Sequence, residues 1–186
     1  MPLRNSRSRY GSIAQLFHWV IVVLIITQFV LASMEHDLPP GLEKLVLLAR
    51  HKSVGITVLV LAVLRLTWRW LNPTPELPRG MPTWERLAAR VSHFLLYALI
   101  LAIPLTGWMM SSAKNYAVSW FGLFTLPNLV SPNEKAFDFF HETHEFLATV
   151  LFYLALVHIA AALQHHFYNR DDVLRGMLPG KDKSRF

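Results

Sequence analysis

Histidine is the residue type in this chain that can take part in the most kinds of chemistry. The chain has nine histidines, and several of them lie in apolar sequence. Neutral imidazole is a common metal ligand, and it exchanges protons near neutral pH. His18, His51, His144 and His158 lie within or beside long apolar stretches. An ionisable side chain at membrane depth is costly and usually functional. These four histidines are therefore the first candidates for a functional site.

The composition narrows the chemistry that these histidines can do. The chain has 186 residues, of which 53% are hydrophobic and 16% charged, and it has no cysteine. Soluble domains are about 25% charged, so the composition indicates a membrane protein, with one domain at this length. The absence of cysteine excludes disulfides, zinc–thiolate sites, iron–sulfur clusters and covalently attached haem. The net charge of +6 does not indicate nucleic-acid binding, because the basic residues form short segments beside apolar runs.

Four apolar stretches must position the histidines. They cover roughly residues 13–34, 53–71, 91–110 and 146–167, and each approaches or exceeds the length of about 20 residues that a helix needs to cross a bilayer. The segment 111–138, with its Pro-Asn turn signals, is expected to form an outer loop. The predicted fold is all-α, an up-down-up-down transmembrane four-helix bundle.

The distribution of positive charge predicts the direction of the spans. Thirteen of the eighteen lysines and arginines lie in the N-terminal tail, in and around the second-to-third connection, or in the C-terminal tail. The other side has five: Lys44, Arg50, Lys52, Lys114 and Lys135. Lysine and arginine accumulate on the cytoplasmic side of membrane proteins. Both termini are therefore predicted to be cytoplasmic.

The four histidines fall into pairs at matching depths. His144 and His158 are 14 residues apart on the fourth helix, so they share a face at levels roughly 21 Å apart. His51 begins the second span on the outer side, level with His144. His18 lies about two turns inside the first span, level with His158.

Paired histidines from different helices are what a bis-histidine haem b requires. Small residues could leave room for a flat macrocycle, and they occur near the histidines at Gly55, Gly107, Ala148, Ala155 and Ala162. A single membrane histidine is more often an interhelical hydrogen-bond partner. Four histidines at two matched depths instead predict two haems b between the helices, with axial ligand pairs His18/His158 and His51/His144.

Several nearby residues leave alternatives open. His93, on the third helix near the inner level, could replace His18 as a ligand or contact a quinone. His165 shares the face of His158 and is another alternative inner ligand, and His141 lies close to His144. Arg65 is 14 residues from His51 at the inner level, where it could bind a haem propionate or extend to the cytoplasmic surface.

Five segments cover most of the chain: RYGSIAQLFHW, RHKSVGITVLVLAVLRLTWR, NPTP, SHFLLYALILAIPLTGWMM and HETHEFLATVLFYLALVHIAAALQHHFY. With these segments the sequence resembles the bacterial cytochrome b561 family. By position, the four haem ligands of that family fall on His18, His51, His144 and His158. The resemblance implies a single cytochrome b domain over residues 1–186 in the bacterial inner membrane, exchanging electrons with quinone.

Within this family the resemblance further implies a superoxide oxidase, which oxidises superoxide outside and reduces ubiquinone. A second hypothesis is a cytochrome b subunit that relays electrons between a partner dehydrogenase or hydrogenase and quinone. A third is a metal-ion transporter or sensor that uses the same histidines. Superoxide is an anion that Arg50, Lys52 and Lys114 could attract to the outer haem. The outer segments hold seven acidic residues against five basic ones, so this steering would need a local cluster of cations.

Overall fold

A computed structural model describes residues 2–7, 9–78 and 80–179. Four long helices dominate it: α1 (Ser12–His36), α2 (Leu42–Leu71), α3 (Thr83–Ala113) and α4 (Glu134–Gln164). A π-helical segment, His165–Asn169, continues α4, and a short 3₁₀ turn, Arg175–Met177, follows it. All four helices are long and apolar enough to cross a membrane. The predicted transmembrane four-helix bundle is confirmed.

Two of the helices begin well before the predicted apolar spans. The helices α2 and α4 start at Leu42 and Glu134, about three turns ahead of the expected starts at 53 and 146. The prediction located apolar sequence, whereas the helices continue into polar flanks that extend beyond the bilayer core. At the start of α4, the Asn133 side chain accepts a hydrogen bond of 3.0 Å from the Ala136 N–H, which satisfies one of the free donors of the first turn.

Consecutive helices are neighbours in the bundle: α1 packs against α2, α2 against α3, and α3 against α4. The central contact is formed by Ala62, Leu99, Ile100 and Leu151, which are all buried. Most other large apolar side chains on the helices lie on the outer surface. In water such exposure would be unfavourable, but lipid is as apolar as these side chains. The fold therefore presents its apolar exterior to the membrane.

The outer connection between α3 and α4 contains a small hairpin that the sequence analysis did not predict. Its strands are β1 (Val118–Trp120) and β2 (Phe124–Leu126), which pair antiparallel. The Ser53 hydroxyl of α2 accepts a 3.0 Å hydrogen bond from the Phe121 N–H. The Trp120 indole N–H donates to the Thr57 hydroxyl at 3.0 Å. These contacts attach the hairpin to α2, close to the level of His51.

The opposite end of the bundle, called the inner end here, gathers the N-terminal segment, the α2–α3 connection and the C-terminal segment. The Asn5 amide donates to the Pro73 carbonyl at 3.0 Å, and the Arg9 guanidinium donates to the Leu178 carbonyl at 2.6 Å. The Gln15 amide donates to the Gly176 carbonyl at 3.0 Å. The segments predicted to be cytoplasmic thus lie together. Four basic residues counted in that prediction fall outside the described residues: Arg79, Lys181, Lys183 and Arg185.

Candidate functional site

The two predicted histidine pairs are both present as ring pairs. The ring centroids of His51 and His144 are 6.2 Å apart, and those of His18 and His158 are 6.5 Å apart. A metal–imidazole bond is about 2 Å long, so two such bonds and the two ring radii together span roughly 6 Å between centroids. Each pair therefore has the spacing of two imidazoles bound to one ion from opposite sides.

The outer pair, His51 and His144, lines a cavity of about 570 Å³ between the helices. This volume lies within the usual range of ligand sites, roughly 300–1,000 Å³. Three of the small residues singled out in the sequence also line it: Gly55, Gly107 and Ala148. The cavity, the paired rings and the small lining residues fit a flat cofactor held by two axial histidines.

The hydrogen bond of His144 fixes which of its nitrogens can bind a metal. Its Nδ1 lies 2.9 Å from the Ile103 carbonyl oxygen of α3. A carbonyl only accepts hydrogen bonds, so Nδ1 must carry the proton and donate it. In the neutral ring Nε2 is then unprotonated, with a free lone pair. This arrangement is the usual one for a metal-binding histidine.

The inner level holds three imidazoles. His93 lies edge-on against His158 with ring centroids 5.3 Å apart, closer than the His18–His158 pair. That spacing is too short for an ion bound between the two rings, so the geometry favours His18 as the partner of His158. The Nδ1 of His18 is buried, and no described residue hydrogen-bonds to it. His93 lies beside the pair, with its ring against that of His158.

The two other alternative ligands interact elsewhere. His165 begins the π-helical segment, and its Nδ1 lies 2.5 Å from an Asp171 carboxylate oxygen. His141 stacks on Phe137 and lies 3.5 Å from the Glu145 carboxylate. Neither ring forms a described pair with one of the four predicted ligands, although His141 lines the outer cavity.

Arg65 lies at the inner level, as its spacing predicted, and Arg69 and Tyr97 lie beside it. Arg65 and Arg69 both lie over the Tyr97 ring, with guanidinium carbons 5.3 and 5.6 Å from its centroid. Tyr10 is nearby: burial raises the pKa of its phenol, while the positive charge of Arg69 opposes that rise. No ion pair with a carboxylate is found for either arginine in the described part of the chain. The sequence analysis missed Arg69 and Tyr97, although Arg69 is one helical turn from Arg65.

The three cations predicted to attract superoxide have different surroundings. Lys52 lines the outer cavity and also a neighbouring cavity of about 630 Å³. Arg50 is exposed and lines neither of them. Lys114 forms a 3.1 Å ion pair with Glu134, and this hydrogen bond raises the pKa of the lysine. Lys114 therefore stays charged, with a carboxylate beside it.

Known proteins resemble this chain over nearly its whole length. Residues 9–180 match the family model described as prokaryotic cytochrome b561. "Cytochrome b561 homolog 2" of Escherichia coli K12 is 34% identical, over 100% of this chain and 99% of its own length. "Cytochrome b561 homolog 1" of the same organism is 27% identical, over 92% and 98%. A Yersinia pestis protein named "Probable superoxide oxidase CybB" is 28% identical, over 93% and 97%. The chain therefore belongs to the prokaryotic cytochrome b561 family of haem-b-binding membrane electron-transfer proteins.

Proposed function

We propose that this chain is a dihaem superoxide:ubiquinone oxidoreductase of the bacterial inner membrane. The observation that carries the proposal is the presence of two histidine ring pairs with metal-ligand spacing, one at each level of the bundle. One haem alone would only hold an electron, whereas a haem at each level would give the electron a path across the membrane. The similarity to the Yersinia pestis protein named a probable superoxide oxidase supports the choice of substrate.

Each histidine pair would hold one haem b through its iron. Bound haem b would supply a one-electron carrier at each level. The residues around each pair would position the haem, exclude water from it and tune its potential electrostatically. Two superoxide ions lose one electron each and become two dioxygen molecules. One ubiquinone takes up those two electrons and two protons and becomes ubiquinol.

His93 is our candidate for the ubiquinone end. Its ring contacts His158, one of the proposed inner ligands, at 5.3 Å between centroids. A neutral imidazole can donate one hydrogen bond to a quinone carbonyl. The lipid-facing exterior gives a hydrophobic quinone access to the bundle from the membrane.

Stopped-flow spectroscopy of the purified protein tests this function directly. We expect superoxide to reduce the haems within the mixing experiment, and added ubiquinone to reoxidise them. Absence of any reduction by superoxide would contradict the proposed activity. A dehydrogenase or hydrogenase that co-purified with the chain and reduced the haems would then establish the electron-relay subunit as the function.

Both termini are predicted to face the cytoplasm. The three segments at the inner end contain most of the lysine and arginine of the chain, and positive charge is retained on the cytoplasmic side. Alkaline phosphatase, which is active only in the periplasm, should be inactive when fused after Phe186. A green fluorescent protein fused at the same position should fluoresce. Active phosphatase with a dark fluorescent protein would reverse the orientation, and with it the side from which superoxide enters.

Arg65 is predicted to support the inner haem. Replacing it with leucine removes a partly buried positive charge that no described carboxylate neutralises. A nearby cation favours the reduced, less positive form of an iron site, so the Arg65→Leu variant should have a lower inner-haem midpoint potential. A spectroelectrochemical titration measures this shift, and Arg65→Lys, which keeps the charge, is the control. Unchanged potentials in the leucine variant would mean that Arg65 only extends to the membrane surface.

A further inference from the structure

The outer ligand His144 is held by the backbone of α3. Its Nδ1 donates to the Ile103 carbonyl at 2.9 Å, and the Thr106 hydroxyl donates to the same carbonyl at 2.8 Å. Thr106 Oγ1 also lies 3.3 Å from His144 Nδ1. The His144 ring therefore packs against one turn of α3, and His144 and Thr106 donate hydrogen bonds to the same carbonyl. This contact leaves Nε2 as the only ring nitrogen free for a metal.

Gly107 allows this close approach. A Cβ added at Gly107 would lie 3.0 Å from His144 Cε1 and 3.2 Å from its Nδ1. A side chain at this position would therefore push the ring away from the Ile103 carbonyl. Gly107 has a negative φ inside a regular helix, so its backbone does not require glycine. The requirement comes from the ring that packs on it.

Neither His18 nor His51 has this support. The Nδ1 atoms of His18, at the inner level, and of His51, the outer partner of His144, are both buried without a hydrogen-bond partner among the described residues. The charges also differ between the levels, because Arg65 and Arg69 lie together at the inner end. Hydrogen-bond donation by a ligating imidazole makes it a stronger donor to the metal. Stronger donation stabilises ferric iron, and nearby cations stabilise ferrous iron.

We propose that Gly107 and the Ile103 carbonyl act as positioning groups that orient His144 and lower the midpoint potential of the outer haem below that of the inner one. The inference rests on the proposed ligation of the outer haem by His51 and His144. It adds a direction to the proposed function, because electrons entering at the outer level then move to the inner level spontaneously.

The hydrogen bond is tested by replacing the His144 side chain with added imidazoles. The His144→Gly variant is purified, and imidazole or 1-methylimidazole is titrated into it with haem. Imidazole can donate an N–H to the Ile103 carbonyl while it binds iron, whereas 1-methylimidazole cannot. We expect imidazole to bind roughly fivefold more tightly, the equivalent of about 1 kcal/mol for one hydrogen bond. The matched control is His18→Gly, because His18 Nδ1 has no hydrogen-bond partner in the described part of the chain, and the preference should be absent there.

This experiment separates the inference from the proposed function. If His144→Gly keeps two bis-histidine haems without added ligand, His144 is not a ligand, and both the proposed ligation by His144 and its positioning by Gly107 and Ile103 are wrong. If the outer haem is lost and both imidazoles restore it equally well, ligation stands and the positioning role is wrong. An equal preference for imidazole in the His18→Gly control would also contradict the positioning role, because that preference could not come from Ile103.

Gly107→Ala provides a second test that does not remove a ligand. We expect two haems by pyridine haemochrome, altered g-values for the outer ferric haem, and a higher outer potential. The reduced-to-oxidised ratio of that haem at a fixed ambient potential should change about threefold, equivalent to roughly 28 mV at 59 mV per tenfold change. Gly80→Ala is the control for an added methyl group, because a Cβ at that position would have no heavy atom within 4 Å. Unchanged g-values and potentials in Gly107→Ala, or equal shifts of both haems, would overturn the proposal.

Discussion

Replacing His144 with alanine is expected to lower the haem content from two per chain to one. His144 is the only described α4 histidine whose ring pairs with His51, at 6.2 Å between centroids. Removing either imidazole leaves the outer iron with one axial ligand and an enlarged cavity, so we expect the outer haem to dissociate. The inner pair is on the other side of the buried Ala62–Leu151 contact and should retain its haem. Pyridine haemochrome analysis and the low-spin ferric spectrum measure both outcomes.

The matched control for this prediction is His141→Ala. His141 lies one helical turn from His144, but it stacks on Phe137 and faces Glu145. Its removal should leave two haems, and His51→Ala should reproduce the loss seen with His144→Ala. Two bis-histidine haems in the His144→Ala protein would show that the pairing is wrong. His141 would then be the first alternative ligand to examine.

Replacing Lys52 with glutamine is expected to slow the reduction of the haems by superoxide about fourfold at low salt. Lys52 alone among the three predicted steering cations lines the outer cavity. A unit charge about 5 Å from an anion contributes roughly 0.8 kcal/mol in water, which corresponds to that factor in rate. Added salt should slow the unmodified protein toward the rate of the variant, since the Debye length falls to about 8 Å at physiological ionic strength. Stopped-flow rates over a salt series measure both effects.

Lys114→Gln is the control for Lys52. Lys114 already forms an ion pair with Glu134, so its removal should change the rate much less than removal of Lys52. Both variants should keep unchanged haem spectra. A rate that is indifferent to salt and to Lys52 would rule out electrostatic steering at this cavity. Equal slowing in the two variants would instead indicate a diffuse field over the whole outer face.

The helices and the histidine pairs could be predicted because both depend on short-range regularities. An apolar run of about 20 residues is sufficient to predict a membrane span. The fixed rise and turn of a helix place His144 and His158 on one face at two levels, and the ring distances agree with those levels. The starts of α2 and α4 could not be located in this way, because polar flanks carry no hydropathy signal.

The outer hairpin and the charge arrangement could not be predicted, since they depend on contacts between distant segments. The hairpin is held by Ser53 and Thr57 of α2, which are more than sixty residues away from their partners in the chain. Arg50 and Lys52 appear adjacent in the sequence, but two residues turn a helix by about 200°. Consequently Lys52 faces the cavity and Arg50 does not.

The C-terminal segment that lies against the start of α1 has a consequence for the order of biosynthesis. Trp19 donates to the Met177 carbonyl at 2.8 Å, and Gln15 and Arg9 bind the carbonyls beside it. Trp19 is the immediate neighbour of His18, so residues 176–178, which are translated after all four helices, bind beside the first of the proposed ligands. A nascent chain with four helices in place still has an uncovered inner end until this segment arrives. Haem can therefore enter at that level late in translation, until the C-terminal segment packs against α1.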